Sequence, residues 1–294
     1  MNPIQTDGLT KHYGSFPALV DLDLEVRRGE VFGFLGPNGA GKSTTIRVLM
    51  GELTPTSGSA TVLGAAPREV AHRRRLGYLP PDLALWPSMT GQETLQFFAK
   101  LHGDVDWDHA LQLAERLGAT LDKRVGELST GNRQKIGLIS VFMHKPDLLI
   151  LDEPNAGLDP LVQHEFWAMM REVVDDGRTI FLSSHTLSEV ERVADRVGII
   201  RRGHLIAVEE VSALRRKRMR RIKIDIDGVL TAADLAGVPG VRDLSLLADR
   251  VELNFDGDME QLLATITGTV RLRDIHTQEA ELEDIFLTYY KDES

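Results

Sequence analysis

No cysteine occurs among the 294 residues, which excludes disulfides, thiolate zinc sites and a cysteine nucleophile and agrees with a reducing compartment. Long apolar runs are missing as well, since nothing approaches the roughly 18 to 20 residues that span a bilayer. The opening stretch MNPIQTDGLTKHYG lacks the apolar core of a signal peptide, so a soluble, cytoplasmic chain is expected. Basic charge is in deficit. With 34 Lys and Arg against 44 Asp and Glu the formal net charge is -10, which argues against nucleic acid as a partner, because phosphate-backbone recognition relies on a dominant basic face. There is no internal repeat and no low-complexity segment. What is present, 42% hydrophobic residues at this length, suffices for one large domain and a small one.

Apolar runs of strand length stand at EVFGFLG (30 to 36), DLLILDE (147 to 153) and RTIFLSSH (178 to 185). The first is followed by KSTTIRVLMGEL, which carries Ile46, Leu49, Met50 and Leu53 at helical spacing. The other two flank the helical PLVQHEFWAMMREVVDDG, so βαβ crossovers and a largely parallel sheet are predicted. From about 82 to 146 the pattern is helical and reads as an insertion. The basic run RRKRMRR (215 to 221) marks a composition break. It is read as a solvated linker face, with contact to anionic lipid as the alternative. Beyond it the order β-α-β-β-α-β predicts a small split-βαβ, ferredoxin-like α+β domain, closed by a helix at ELEDIFLTYY. The expected division is an α/β domain over 1–215, a linker over 216–221 and an accessory domain over 222–294.

GPNGAGKS (36 to 43) fits G-x-x-x-x-G-K-[ST] in the strand-loop-helix setting that this motif requires. Gly36, Gly39 and Gly41 let backbone N–H groups turn toward phosphate oxygens, and the following helix offers its positive end to the same anion. Lys42 is placed to reach the outer phosphates and Ser43 to ligate magnesium. LLILDE (148 to 153) supplies Asp152, a carboxylate at a strand end for the magnesium shell, and Glu153, which is placed to polarise an attacking water. Together they predict a nucleoside triphosphatase.

In order along the chain, KHYG, GPNGAGKST, LSTGN, LLILDEPNAGLD and FLSSH resemble the aromatic loop, Walker A, signature, Walker B with D-loop, and switch histidine of the ATP-binding cassette (ABC) family. The resemblance covers about 4 to 215. GNRQK and the ending LEDIFLTYY are similar to ATPase subunits of bacterial and archaeal exporters whose permease is a separate chain. The resemblance implies a P-loop ABC-type nucleotide-binding domain using ATP and Mg2+, peripheral on the cytoplasmic face of the cell membrane through that permease. It also implies a head-to-tail dimer with a second copy. Residues Gly36, Pro37, Asn38, Gly39, Ala40, Gly41, Lys42, Ser43 and Thr44 then hold ATP, Tyr13 stacks on adenine, and Ser43 and Asp152 hold the metal. Glu153, His185 and Lys42 are catalytic. Asp159 crosses the dimer interface.

GELSTGNRQKIGLI (126 to 139) is otherwise an odd start for a buried helix, being polar and small with no obvious chemistry. The resemblance gives Ser129, Gly131 and Asn132 to the ATP of the partner subunit. Thr130 and Asn132 depart from the common LSGGQ. Another departure follows LGYLP, where Pro81 replaces the glutamine that senses magnesium and water. Two readings stay open there: Asp82 substitutes through a water, or the role is absent. DLALWPSMTGQETL (82 to 95), with Trp86 and Met89, is the expected receiver of the permease's coupling helix. The accessory domain carries no catalytic constellation and reads as an assembly or regulatory module. A soluble ABC ATPase of DNA repair or translation is the alternative, but such proteins bring coiled-coil insertions, zinc-binding cysteines or paired cassettes. A P-loop kinase has no use for LSTGN or AGLD.

Overall fold

The computed structural model describes residues 2–70, 72–103, 105–216 and 220–279. The closing ELEDIFLTYY, expected to be helical, lies outside the described residues. The chain divides into two compact units, Met1–Val211 and Ser212–Ser294.

In the first unit the order is β1 (Ile4–Tyr13), β2 (Phe16–Val26), β3 (Val31–Leu35), α1 (Lys42–Leu49), β4 (Ser57–Val62) and β5 (Leu76–Leu79). There follow α2 (Gly91–His102), α3 (Trp107–Arg116), α4 (Thr130–Phe142), β6 (Leu148–Asp152), α5 (Pro160–Asp175), β7 (Thr179–Ser184), α6 (Leu187–Val193), β8 (Arg196–Arg201) and β9 (His204–Glu210). The main sheet has the order β5-β6-β7-β3-β8-β9, parallel except for β9. Every residue of β3, β6 and β7 is buried, the pattern of parallel strands covered on both faces. Phe181 packs between Phe32 and Phe34 at ring separations of 5.9 and 5.3 Å.

A second, antiparallel sheet, β2-β1-β4, was not legible in the sequence. Register shifts in β1 break its two-residue period between Thr6 and Leu9, and the buried Thr6 is polar. Its Oγ1 donates to Leu22 O at 2.7 Å and accepts from Leu24 N at 2.9 Å, which satisfies backbone groups where the ladder slips.

The expected helical insertion is formed by α2, α3 and α4. Thr90 and Glu93 make a capping box at the start of α2, and Asp106 caps α3 through Asp108 N and His109 N. Both helices contact α4.

Helix α7 (Val211–Arg216) spans the division between the units. The second unit then runs β10 (Arg220–Asp227), α8 (Ala232–Leu235), β11 (Val241–Leu246), β12 (Arg250–Phe255), α9 (Met259–Thr269) and β13 (Arg271–Glu279). Its sheet order, β11-β12-β10-β13 with every pair antiparallel, is that of a ferredoxin-like domain. Alternating Ile222, Ile224 and Ile226 build its core with Val251, Leu253, Phe255, Leu262 and Ile266. The expected boundary and linker shift accordingly. Arg216 ends α7 and Arg220 and Arg221 open β10, because Arg221 continues the alternation that buries Ile222.

Candidate nucleotide-binding site

Strand order fixes the site. β7 lies between β6 and β3, so the chain leaving β3 as the glycine loop, the acidic end of β6 and the Ser184-His185 end of β7 emerge side by side at the carboxyl edge of the sheet. Ligands of open α/β sheets bind at such an edge.

Glycine in the loop is a matter of space. A Cβ on Gly36 would lie 2.4 Å from Ile200 O, and one on Gly41, at φ 115°, would lie 2.8 Å from Ala18 O. Pro37, Asn38 and Gly39 form the exposed crown while Ala40 is buried. Lys42, only 6% exposed, donates from Nζ to Gly36 O at 2.6 Å and lies 3.5 Å from Glu153 Oε1. Ser43 is exposed and Thr44 half-buried in the first turn of α1, next to Thr45, whose hydroxyl donates to Gly41 O at 3.0 Å.

Asp152 is 2% exposed and accepts from the Ser183 hydroxyl. Burial raises its pKa, against the stabilising hydroxyls of Ser183 and Ser43; the Glu153 charge raises it further and Lys42 lowers it. Burying that charge costs stability. An acid whose pKa is raised by folding costs nothing at a pH that protonates it in both states, and costs most above its folded pKa. At neutral pH, Asp152→Asn is therefore expected to raise the thermal midpoint of the metal-free protein, by about 2–4 °C per kcal/mol relieved, while impairing magnesium-dependent hydrolysis. Calorimetry and turnover assays on one preparation check both signs.

Glu153 adopts φ 52°, a left-handed conformation that costs about 1–3 kcal/mol in a non-glycine residue. Its N–H donates to Ser183 O at 3.2 Å, and its Oε2 lies 2.8 Å from Nδ1 of His185. Lys42, Asp152, Glu153 and His185 thus form one cluster. The Ser43 hydroxyl and the Asp152 carboxylate are hard oxygen donors suited to magnesium when phosphate oxygens complete the shell.

Ser129 is the exposed N-cap of α4, its Oγ accepting from Asn132 N at 3.2 Å. Gly131 is forced by proximity, because a Cβ there would lie 2.5 Å from Gly157 O. Gln134 Nε2 donates to Pro154 O at 2.8 Å, so the start of α4 is tied to the loop that follows Glu153. Among the described residues no hydrogen bond or ion pair joins Ser129 or Gly131 to the glycine loop. Asn132 has a different job from the expected one. It is buried, with Oδ1 accepting from Thr120 N at 2.9 Å and Nδ2 donating to Thr120 O at 3.0 Å, which commits its amide to the insertion.

Asp159 caps α5 through Leu161 N and Val162 N, with Pro160 in the first turn. Tyr13 ends β1 at 44% exposure, with Lys11 Nζ 5.6 Å from its ring centroid. Directly across the hairpin stands Phe16, 62% exposed, which the sequence reading missed. An apolar ring starting a strand opposite Tyr13 was the available signal. Pro81 and Asp82 are exposed just past β5, and neither makes a hydrogen bond or ion pair to the cluster.

These features define a P-loop nucleoside-triphosphate-binding cassette. Residues 19–156 match the ABC transporter family. The probable multidrug ABC transporter ATP-binding protein YbhF of Escherichia coli (strain K12) is 39% identical over 211 residues, covering 69% of this chain and 36% of that protein. The chain thus spans little more than a third of that relative's length. The bacitracin transport ATP-binding protein BcrA of Enterococcus faecalis is 32% identical over 294 residues, covering 96% of this chain and 94% of its own. Among solved structures, an ATP-binding subunit of an ABC transporter superposes with a TM-score of 0.66 at 31% identity, covering 73% of this chain and 92% of that one. The chain belongs to the ATP-binding proteins of ABC transporters.

Proposed function

We propose that this chain is the ATP-hydrolysing subunit of an exporter whose permease is a separate protein, working on the cytoplasmic face of the membrane as a head-to-tail pair. Each ATP lies with its adenine on Tyr13 and its phosphates in the Gly36–Thr44 loop. Ser129 and the Gly131 N–H of the second copy reach its γ-phosphate. Ser43 and Asp152 hold magnesium, which when bound neutralises developing phosphate charge. Glu153 orients the attacking water, His185 and Lys42 face the γ-phosphate, and Asp159 meets the second copy.

The observation that carries this reading is the Lys42-Glu153-His185 constellation beside the buried Asp152, at the ends of three adjacent strands. Its second half, an exposed serine capping a helix with no acid in its first turn, makes no hydrogen bond to its own loop among the described residues and suits a phosphate brought by another subunit. A groove of about 360 Å³ bordered by Tyr78, Asp82, Leu83, Leu85 and Phe98 supports the 82 to 95 segment as the permease contact. Elsewhere in the segment Trp86, half exposed, packs against Phe97 at 4.7 Å between ring centroids. No helix among the described residues is long and apolar enough to cross a membrane. The similarity to transport proteins favours this reading over a DNA-repair or translation ATPase. Tagged protein from native membranes is expected to co-purify with a polytopic protein and to hydrolyse ATP in that complex. Recovery only with soluble nucleic-acid machinery would contradict the transport role.

A further inference from the structure

Thr186, the N-cap of α6, and Glu189 in that helix's first turn fit the T-x-x-E pattern of a capping box, yet Thr186 makes no side-chain cap hydrogen bond. A serine hydroxyl stands between them instead. The Thr186 N–H donates to Ser184 Oγ at 2.9 Å, and Ser184 Oγ donates to Glu189 Oε2 at 2.6 Å. Ser184, the last residue of β7, is fully buried, and its carbonyl accepts from Gly36 N at 3.3 Å, where the phosphate loop begins. His185 is the single residue between Ser184 and Thr186. Its side chain is 57% exposed, so packing does not hold the ring. The approach of Nδ1 to Glu153 Oε2 at 2.8 Å therefore depends on the backbone turn that carries it.

We infer that Glu189 is a positioning residue for ATP hydrolysis: acting through the Ser184 hydroxyl, it fixes the turn that aims His185 at Glu153. The inference rests on the reading above that sets His185 at the γ-phosphate. A hydroxyl has one proton to give and two lone pairs to offer. While Glu189 takes the proton, a lone pair stays directed at the Thr186 N–H. Without the carboxylate the hydroxyl turns to Thr186 O, at 3.3 Å, and the relay loses its charge-assisted member. Position also favours an ionised Glu189, because the amino end of α6 carries partial positive charge. Glu189 makes no hydrogen bond or ion pair to Lys42, Asp152, Glu153 or His185 among the described residues, so its effect on the cluster is one of geometry.

The test pairs steady-state ATP turnover of the full chain, in the transporter complex if the free subunit is silent, with the imidazole nitrogen NMR shifts of His185 in the free chain, assigned by their loss in His185→Ala. Nδ1 beside a carboxylate carries the proton of the neutral ring, so the parent shows the Nδ1–H tautomer. Glu189→Ala is expected to lower kcat roughly tenfold, the scale of one charged hydrogen bond, with KM for ATP within about twofold of the parent. The same variant moves the His185 shifts toward a mixture of tautomers. Glu189→Gln, whose amide oxygen still accepts the serine proton, recovers most of both. Ser184→Ala breaks the relay from the other side and reads the same quantities if Glu189→Ala does not fold. Parent-like turnover in Glu189→Ala, or in Ser184→Ala in its place, overturns the inference. Slow turnover with unchanged His185 shifts overturns it as well, being the mark of a merely structural residue. If His185→Ala itself turns over like the parent, the assignment of His185 fails first and the inference falls with it.

Discussion

Glu153→Gln is expected to bind magnesium ATP and to hydrolyse it at least about a hundredfold more slowly, because the group proposed to accept the water's proton is lost while the phosphate cradle stays intact. The glutamine amide keeps the shape of the carboxylate and pays the same backbone cost at φ 52°, so the change is confined to charge and basicity. The carboxylate is held from two sides, by Lys42 Nζ at 3.5 Å and by His185 Nδ1 at 2.8 Å. That grip positions the base, and removing one negative charge next to the triphosphate favours nucleotide retention. The measurement is steady-state turnover with parallel nucleotide-binding titration, in the transporter complex if the free subunit is silent. Near-normal turnover by the variant would remove Glu153 from the role of base.

The chemistry was legible where it coincides with a change in local structure. Gly36 through Gly41 follow a strand whose residues are all buried and lead into a helix that opens with Lys42 and Ser43, and Asp152 ends a second such strand with Glu153 just past it, so apolar run and polar terminus announce each other. The ferredoxin-like unit was legible for a similar reason, since Ile222, Ile224 and Ile226 alternate without interruption and fix one buried face. Three things were not legible. The bulged β1 hides its period behind Gly8 and the buried Thr6, whose polarity makes sense only beside Leu22 and Leu24. Asn132 looked like a ligand-facing residue because it stands one position after the signature glycine, but the turn of α4 points it at Thr120, a partner 12 residues away. Gly131 was read as a phosphate contact, and the close approach of Gly157 O gives it a packing reason as well. Side-chain direction on a helix's first turn and backbone-to-backbone approach are tertiary facts with no period to betray them.

The central claim is that Ser129 serves the nucleotide of another subunit, and mixed dimers of two defective variants test it most directly. Lys42→Ala removes the buried ammonium of the phosphate loop, and Ser129→Arg fills the exposed cap of α4 with a bulky side chain. Each homodimer carries a lesion in both composite sites. In the mixed dimer both lesions fall in one site, and the other is built from the intact loop of the Ser129→Arg chain and the intact signature of the Lys42→Ala chain. Losing one preorganised donor to a developing charge costs roughly 2.7–4 kcal/mol, so restoring it gives a contrast well beyond assay noise. The readout is ATP occluded in verified heterodimers in a Glu153→Gln background, which does not depend on both sites turning over. The account predicts that the mixture traps ATP when neither variant alone does; verified heterodimers that trap no more than either homodimer would contradict it.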